Sequence, residues 1–599
     1  MTANDDEFND DEYDDEYDDE SEVETGEDEY DEFDDETFRE RLLSNPGPAL
    51  LWLLGLGVLL ALEFGRIAIG VRRVGGVAWF GVERIAAAPA WVEGNVAETL
   101  GAAAGTVGFL LTALLLLALA SVLVKWLFVP VSLASLLGLD RGDTTEEFLE
   151  RGLITVGLAV LVLLVIVTPL GGLLDSVAAW VNQGLQSAGE FRTLTTPETI
   201  PNEGHRTPEG GWEGTFMGLS PAWAWAIRVV VVYAYAFALL AWFWKGYTIF
   251  RTHYREADWT PRDDSVNRFR SHYWGIFGLL VVFAFVVMAV WAPALAPVDA
   301  EANLYAPYEN EFEYFDEEAE TVRETTHGTA NLQSRSQGGE QNVGLASYDE
   351  FDRFHPVGTN QDGKDLFTML VYGARTSLVI GLTAIGIATT IALVMSLVTA
   401  YYKGLIDILT IIASDTIISI PAFLLVLLLS VVFQEANHPV AAVYDGGLLL
   451  ALIFAGVYWP GLWRSIRGPS LQVAEQEWVD AAKSFGQTPA MTMRKHMAPY
   501  IAGYIMIYAS LLLGGIIIAT AALSFLGLGI NPPTPEWGRM VDEGRSYVPT
   551  VSWHISTIPG IMVVLVVTGF NALGDGVRDA MDPESEVGTA DATAAGGGG

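Results

Sequence analysis

Long apolar stretches alternate with polar loops along most of this chain. A helix rises about 1.5 Å per residue, so roughly 20 apolar residues cross a hydrocarbon core of about 30 Å. The pattern predicts an all-α integral membrane protein with about ten transmembrane helices, the first continuing past Glu63. We place them near 49–62, 102–124, 153–171, 222–244, 273–296, 376–401, 408–433, 447–463, 502–528 and 556–574.

One polar, helix-forming segment interrupts the apolar second half of the chain. Apolar residues in it recur three or four positions apart, which predicts an amphipathic helix, and they are Leu471, Ala474, Trp478, Ala481 and Phe485. This helix is expected to stop at Gly486, and Thr488-Pro489 is typical of the start of a second one. The stretch Leu471–Pro499 is therefore predicted to be a helix-turn-helix docking element outside the membrane.

Charge is segregated along the 599 residues, which combine a net charge of -42 with a mean hydropathy of +0.33. Residues 1–37 hold 22 of the 74 acidic side chains and no Lys or Arg, so we expect a disordered acidic tail. We interpret the remaining acid excess as a halophilic adaptation. It argues against a nucleic-acid partner, since phosphate binding needs clustered Lys and Arg. Cysteine is absent from the sequence, which excludes disulfides.

Lys and Arg in the short loops predict the orientation. With both termini inside, the inner loops hold 15 and the outer loops 7 of these side chains, in agreement with the positive-inside rule. This arrangement puts 471–499 in the cytoplasm and the loop at about 298–365 outside. We expect a multi-pass plasma-membrane protein with both termini cytoplasmic.

Sequence patterns for catalysis or nucleotide binding are missing. The chain has no G-x-x-x-x-G-K-[ST], no H-E-x-x-H and no G-x-S-x-G, so we predict no catalytic residue, no metal site and no cofactor bound by this chain. These absences leave four function classes open: a transporter driven by another polypeptide, a proton- or sodium-coupled carrier, a membrane-embedded enzyme, and a scaffolding or signalling membrane protein.

Several motifs beyond residue 267 carry a family resemblance. They are Ala292–Pro297, the run His355–Asp365 followed by Tyr372–Leu378, Leu523–Gly538, and Asn571–Pro583. Asp480-Ala481-Ala482, then Gly486 and Met497-Ala498-Pro499, resembles the EAA loop, with Asp in place of the usual Glu. Together they resemble the C-type permease subunit of dipeptide, oligopeptide and nickel ABC importers.

The resemblance implies a division of the chain into four parts. These are the acidic tail 1–37, an accessory region 38–267 with about four spans, a six-span permease core 268–583 and a disordered tail 584–599. It further implies a homologous second permease, two cytoplasmic ATPases that use ATP and Mg, and an extracytoplasmic substrate-binding protein. Peptide is the cargo expected from the resemblance, and nickel or another small solute stays open.

The same resemblance assigns an ATPase-coupling role to 471–499, with site residues Glu477, Asp480, Ala481, Ala482, Gly486 and Pro499. Two further residues stand out. Asp415 is an acid inside a predicted span and is a candidate polar site, for which we expect a buried interhelical hydrogen bond. Trp537 is expected to anchor the chain at the outer interface.

Overall fold

The computed structural model describes residues 38–128, 143–255, 259–339, 341–435 and 439–581. The predicted acidic tail 1–37 and the C-terminal tail 584–599 lie outside this part. The helices are α1 Phe38–Ser44, α2 Gly47–Leu62, α3 Phe64–Leu100, α4 Ala102–Phe128, α5 Asp143–Val167, α6 Leu170–Gly189, α7 Pro221–His253, α8 Pro261–Ser271, α9 Tyr273–Val290, α10 Ala292–Leu295, α11 His327–Gln333, α12 Leu366–Tyr402, α13 Gly404–Ile418, α14 Ala422–Glu435, α15 Gly447–Ala474, α16 Glu477–Ser484, α17 Pro489–Thr492, α18 Ala498–Phe525, α19 Trp537–Glu543 and α20 His554–Met581.

Short strands and single helical turns lie in the loops between these helices. Three antiparallel pairs join β1 His205–Arg206 to β2 Trp212–Glu213, β3 Glu311–Asp316 to β4 Thr321–Thr326, and β5 Ser347–Tyr348 to β6 Phe354–His355. The 3₁₀ segments are Phe216–Gly218, Pro439–Gly446 and Arg545–Tyr547, and the π segments are Glu301–Tyr305 and Met493–Met497. The all-α membrane fold predicted from the sequence is confirmed.

Seven helices within the described residues are long and apolar enough to cross a membrane, and two bent pairs raise the number to nine. One pair joins α1 to α2, and the other joins α13 to α14 at an angle of 80°. The predicted span 408–433 is therefore broken near Pro421, because proline cannot continue a helix. The predicted span 153–171 falls on α5, whose apolar part, Gly152–Leu164, is shorter than a full crossing.

Small side chains allow α12 and α15 to pack closely. On α12 they recur every fourth residue and are almost fully buried, at Ala384, Ala388, Ala392, Ser396 and Ala400. This spacing keeps one face of the helix narrow, so that two backbones approach without a cavity. Ser396 and Ser470 join the two helices through a hydroxyl–hydroxyl contact of 2.9 Å.

Helices α9 and α20 also approach at backbone distance. A Cβ added at Gly278 would lie 2.3 Å from the backbone nitrogen of Leu573, and one added at Gly275 would lie 3.0 Å from the Cα of Gly576. Against this pair packs Trp537, which is fully buried and donates from Nε1 to the carbonyl of Leu370 at 2.9 Å. The prediction of Trp537 as an interfacial anchor was therefore wrong, because its ring lies in the core beside Phe285.

The loops gather at two opposite ends of the helix bundle. At one end the loop after α12 contacts the loop after α15 through Lys403 and Glu475, at 3.0 Å. At the other end the loop after α14 contacts the loop after α18, since the amide of Asn531 donates to the carbonyl of Asp445 at 2.9 Å. We call these the 471–499 end and the 298–365 end. These four loops fall into the two sets predicted from Lys and Arg, and which end faces the cytoplasm stays a prediction.

The 298–365 end carries a small domain built around buried charges. The carboxylate of Asp349 contacts Arg353 at 2.7 Å, and His355 Nδ1 contacts Asp365 at 2.8 Å. Burial opposes the charge on Asp349, but Arg353 and His355 outweigh it and hold the pKa of this carboxyl well below its usual range. Asp349 and Asp365 together raise the pKa of His355 despite its burial. His355 and Asp365, the first and last residues of the sequence motif, thus belong to a structural network of charged side chains.

Side chains of the accessory region cap the end of the first core helices. Three consecutive carbonyls after α9 accept hydrogen bonds from this region. Trp225 donates to Leu295 at 2.8 Å, Arg228 to Ala296 at 2.7 Å and Asn202 to Pro297 at 2.9 Å. Arg228 is fully buried, and a second nitrogen donates to the carbonyl of Ile200. The accessory region is therefore joined to the core by polar contacts that a lipid-facing helix would lack.

Candidate functional site

The segment 471–499 forms two short helices that continue directly from membrane-spanning ones. Helix α15 ends at Ala474, and the extended Gln476 starts α16 in a new direction. After the turn, α17 and the π segment lead straight into α18, which begins at Ala498 with Pro499 in its first turn. The loop is consequently attached at both ends to helices of the core.

Gly486 closes α16 with the geometry expected of a C-terminal glycine. Its φ is +74°, and the amide of Gln487 donates to the carbonyl of Ala482 at 3.1 Å. Only glycine adopts this conformation without strain from a Cβ. Thr488 then caps the next helix by accepting from the amide of Met491 at 3.4 Å, with Pro489 at its first position. The turn predicted from the sequence is present.

Buried apolar side chains fix the loop to the end of the bundle. Val479 and Met497 are fully buried, and Ala482 is 5% exposed. Val479 and Met497 belong to one cluster with Trp463 and Ile501 of the adjacent long helices. Since α16 shares its core with α15 and α18, a load applied to α16 is transmitted to those helices by close packing.

The opposite face of the loop is apolar, acidic and accessible. Phe485 is 87% exposed and Trp478 41% exposed, although both are large apolar side chains. Glu477, Asp480 and Ala481 are exposed on the same helix. Asp480 contacts Lys483 at 3.0 Å, so its charge is partly balanced. This surface, which we call the docking face, offers aromatic anchors beside carboxylates.

The apolar stripe predicted for this segment was wrong in its phase. It assumed one continuous helix from Leu471 to Phe485, which would have placed Trp478 and Phe485 with Ala474 on one face. The break at Glu475–Gln476 rotates α16, so Val479 and Ala482 turn inward and the two aromatic residues turn outward. Of the predicted site residues, Ala482 is a packing residue, while Glu477, Asp480, Ala481, Gly486 and Pro499 are accessible.

Asp415 pairs across helices with a cation that we did not predict from the sequence. Its carboxylate contacts Arg464 of α15, and both side chains are about half exposed in this single chain. About two turns from Asp415 along α13, and nearer the 471–499 end, Asp407 accepts from Arg467 at 2.8 Å. The interhelical contact expected for Asp415 is present, but it is an ion pair and it is not buried within this chain. Two arginines in the sequence, Arg464 and Arg467, lie three residues apart and could have indicated that Asp415 and Asp407 have cationic partners.

Glu536 is a second acidic residue that sequence analysis did not single out. It lies fully buried before α19, and the amide of Arg539 donates to its Oε2 at 3.1 Å. Its other oxygen has no hydrogen-bond partner. Burial raises the pKa of this carboxyl to about 7. The surrounding Pro-rich loop gave no indication that this residue would be enclosed.

Metal and catalytic chemistry are not indicated by the side chains within the described ranges. These ranges contain no group of three or more His, Asp or Glu side chains that could hold a metal ion. What the molecule presents instead is a bundle of spanning helices with a rigid, accessible loop at one end. That combination fits a transport subunit, the class that the sequence motifs predict.

Comparisons with known proteins agree with this class. A family model described as a binding-protein-dependent transport system inner membrane component matches residues 388–586, and one described as the N-terminal TM domain of oligopeptide transport permease C matches residues 260–311. A glutathione transport system permease protein of Shigella dysenteriae serotype 1 is 30% identical over 326 residues, which cover 54% of this chain and 91% of that protein. Its counterpart from Escherichia coli O1:K1 is 29% identical over the same length.

The chain therefore belongs to the dipeptide/oligopeptide family of ABC importer permeases, as its motifs predicted. It is a multi-pass membrane protein and a transport subunit, so it is not an enzyme. Membership implies, in general terms, a second permease, ATPase subunits and a substrate-binding protein as partners. Neither family model extends to residues before 260.

Proposed function

We propose that this permease imports short peptides by alternating access, driven by ATP and Mg in two cytoplasmic ATPase subunits. The relatives named above are glutathione permeases, and glutathione is a small peptide-like solute. This supports peptide as the cargo class. The 298–365 end would then face outward and receive cargo from the binding protein, with both termini in the cytoplasm.

The docking face on α16 is the observation that carries the proposal. Trp478 in α16 and Phe485 at its C-cap remain accessible, although the inner side of this helix is well packed. Large accessible aromatic residues are typical of interface anchors. Glu477 and Asp480 would orient a basic ATPase groove. Gly486 and Pro499 would set the angles at which force enters α18, and Ala482 would keep α16 against the core.

The domain division is proposed with one refinement. Residues 268–583 supply the six-span core, and 38–267 form an accessory region that the core uses at its 298–365 end. The capping of Leu295, Ala296 and Pro297 supports a permanent attachment. The apolar surfaces of α13 and α14, which are accessible at Ile412, Phe423 and Leu428, suit contact with lipid or with the second permease.

Replacing the most exposed anchor tests this proposal. We expect Phe485→Ala to reduce uptake and cargo-stimulated ATPase activity in proteoliposomes at least ten-fold, because an interface anchor of this kind contributes about 2 kcal/mol or more. The matched control is Met217→Ala, a side chain of similar exposure, 83%, at the opposite end of the molecule. Uptake that is unchanged in Phe485→Ala, with normal amounts of assembled complex, would refute the docking role.

A further inference from the structure

A cavity lies where the accessory region meets the outer domain of the core. Its volume is about 450 Å³, and its walls come from both parts of the chain. Glu203 and Glu213 belong to the loop before α7, while Phe312 and Glu313 belong to β3. Cavities of roughly 300–1,000 Å³ accommodate small organic ligands. Because half of the wall precedes residue 260, neither matched family model describes this site.

Glu203 lines the cavity with an exposed side chain. Among the residues described here, no Lys or Arg lies within 4.0 Å of it. Arg228 and Arg353 act on it electrostatically without forming an ion pair. Its charge is therefore available to a cationic ligand that enters the cavity.

The other charged side chains around the cavity do not neutralise it. Arg353 is committed to Asp349 at 2.7 Å and to Asn331 at 2.9 Å. His205 lies between the carboxylates of Glu213 and Glu313, at 3.7 and 3.4 Å. Both glutamates are largely exposed, and the only ion pairs shown for them within the described ranges are with His205. The cavity is therefore lined by an excess of negative charge.

The shape and lining of the cavity select among cations. The described residues bring no three His, Asp or Glu side chains together in a way that could hold a metal ion. Phe312, Phe354 and Pro221 add apolar walls, which suit a ligand with a hydrocarbon body. Aromatic faces also attract cations, at about 0.5–2 kcal/mol per contact.

We propose that this cavity binds a small organic compound with a primary ammonium group, the ammonium on Glu203 and the apolar body against Phe312 and Phe354. The N-terminus of a short peptide and a free alkylamine share this chemistry. The site lies in the outer domain and is formed jointly with the accessory region, so it is a second site that does not depend on the transport cycle.

Isothermal titration of the purified full chain tests the proposal with three probes: trialanine, N-acetyl-trialanine and butylamine. Trialanine is expected to bind, and its acetylated form, which lacks the ammonium group, is expected to bind at least ten-fold more weakly. Butylamine distinguishes a site for free amines from a site for peptide N-termini. Binding comparable to that of trialanine identifies a site for free amines, and binding to trialanine alone identifies a peptide site.

Variants connect the measured binding to this cavity and separate it from cargo binding elsewhere in the permease. Glu203→Gln keeps the size of the side chain but removes its charge, and it should weaken binding of the best probe at least ten-fold. Glu313→Gln, on β3, should weaken it as well. The control is Glu209→Gln, an exposed residue of the same loop that does not line the cavity.

Three results would overturn the proposal. The first is equal binding of trialanine and its acetylated form. The second is binding that both charge-removing variants leave unchanged. The third is an absence of binding by all three probes in a correctly folded chain. The transport proposal is unaffected by any of them, because the titration involves no ATPase subunit.

Discussion

At the scale of single residues, buried acids determine how the 298–365 end responds to pH. Asp349 is ionised and paired, whereas Glu536 is buried with one oxygen unpartnered. The two carboxyls therefore shift in opposite directions, the pKa of Asp349 downward and that of Glu536 upward to about 7. Desolvation acts on both, and only Asp349 has cations close enough to outweigh it.

Because the pKa of Glu536 is raised in the folded chain, we expect the chain to lose stability as the pH rises. Its folded pKa of about 7 lies above the ordinary value of 4.5, so the folded chain holds a proton that the unfolded chain releases between these two values. The stabilising contribution of this proton is fully present below about pH 4.5. It is lost between about pH 4.5 and pH 7, which lowers the free energy of unfolding by about 3 kcal/mol. Glu536→Gln removes the titration. We expect thermal unfolding at pH 8 to show a higher midpoint for this variant than for the natural chain, with similar midpoints at pH 5.

The background pH dependence is measured in Glu318→Gln, an exposed residue of the β3–β4 turn. Its unfolding midpoint should follow the natural chain at both pH values. Equal midpoints of Glu536→Gln and the natural chain at pH 8 would show that Glu536 is not held protonated in the folded state.

At the scale of elements, the turn at Gly486 determines how α16 is attached to α17. An added Cβ would find no atom within 4 Å, so a substitution there acts through the backbone alone. A left-handed residue other than glycine is disfavoured by about 1–2 kcal/mol, and a β-branched one by more. We expect Gly486→Val to lower cargo-stimulated ATPase activity and uptake several-fold, whereas Gly486→Asn, which tolerates this conformation, should retain most of both.

Uptake and ATPase activity are measured in the same proteoliposomes, and the amount of bound ATPase is checked by co-purification. Normal uptake by Gly486→Val with ATPase subunits bound would contradict the coupling role of this turn. Equal losses in the Val and Asn variants would indicate that side-chain volume, and not backbone conformation, matters here.

Sequence patterns predicted the elements better than their junctions. The apolar stretches located the long helices because burial in lipid constrains every residue of a span. The turn at Gly486 followed from local backbone chemistry at three residues. The break before α16 did not, since Glu475 and Gln476 are ordinary helix formers and the new direction depends on Val479 packing beneath α15 and α18. Pro421 could have predicted the break, but the apolar residues on either side of it were interpreted as one continuous span.

The candidate site was predicted in position and not in detail. The motif located Asp480 and Gly486, whereas the outward direction of Phe485 depended on the helix break. Trp537 has the composition of an interface anchor and lies instead in the core, because the loop before α19 folds back into the bundle. Tertiary packing determines the orientation of Phe485 and the burial of Trp537, and a local sequence pattern does not indicate such packing.

At the scale of the whole molecule, the two groups of loops predict which peptide bonds a protease reaches. Arg323 of β4 is 56% exposed at the 298–365 end, whereas Lys483 belongs to the opposite end. If the 298–365 end faces outward, trypsin added to intact cells should cut near Arg323 and leave 471–499 uncut. Permeabilised cells, in which both ends are accessible, provide the control. Cleavage at Lys483 in intact cells would invert the proposed orientation.

Removal of residues 1–258 tests whether the accessory region belongs to the transport path. Both matched family models begin at or after residue 260, so the shortened chain should still assemble with its partners and transport cargo at a reduced rate. It should also be less stable, because the carbonyls of Leu295, Ala296 and Pro297 lose donors and each lost partner in a buried site costs about 1–3 kcal/mol.

Arg228→Met in the full chain reproduces part of this loss without removing a helix, and we expect its unfolding midpoint to fall by several degrees while uptake is retained. Unfolding followed by fluorescence and uptake in proteoliposomes separate the two effects. A shortened complex that assembles and stays folded but transports nothing would place the accessory helices in the transport path and contradict the six-span core.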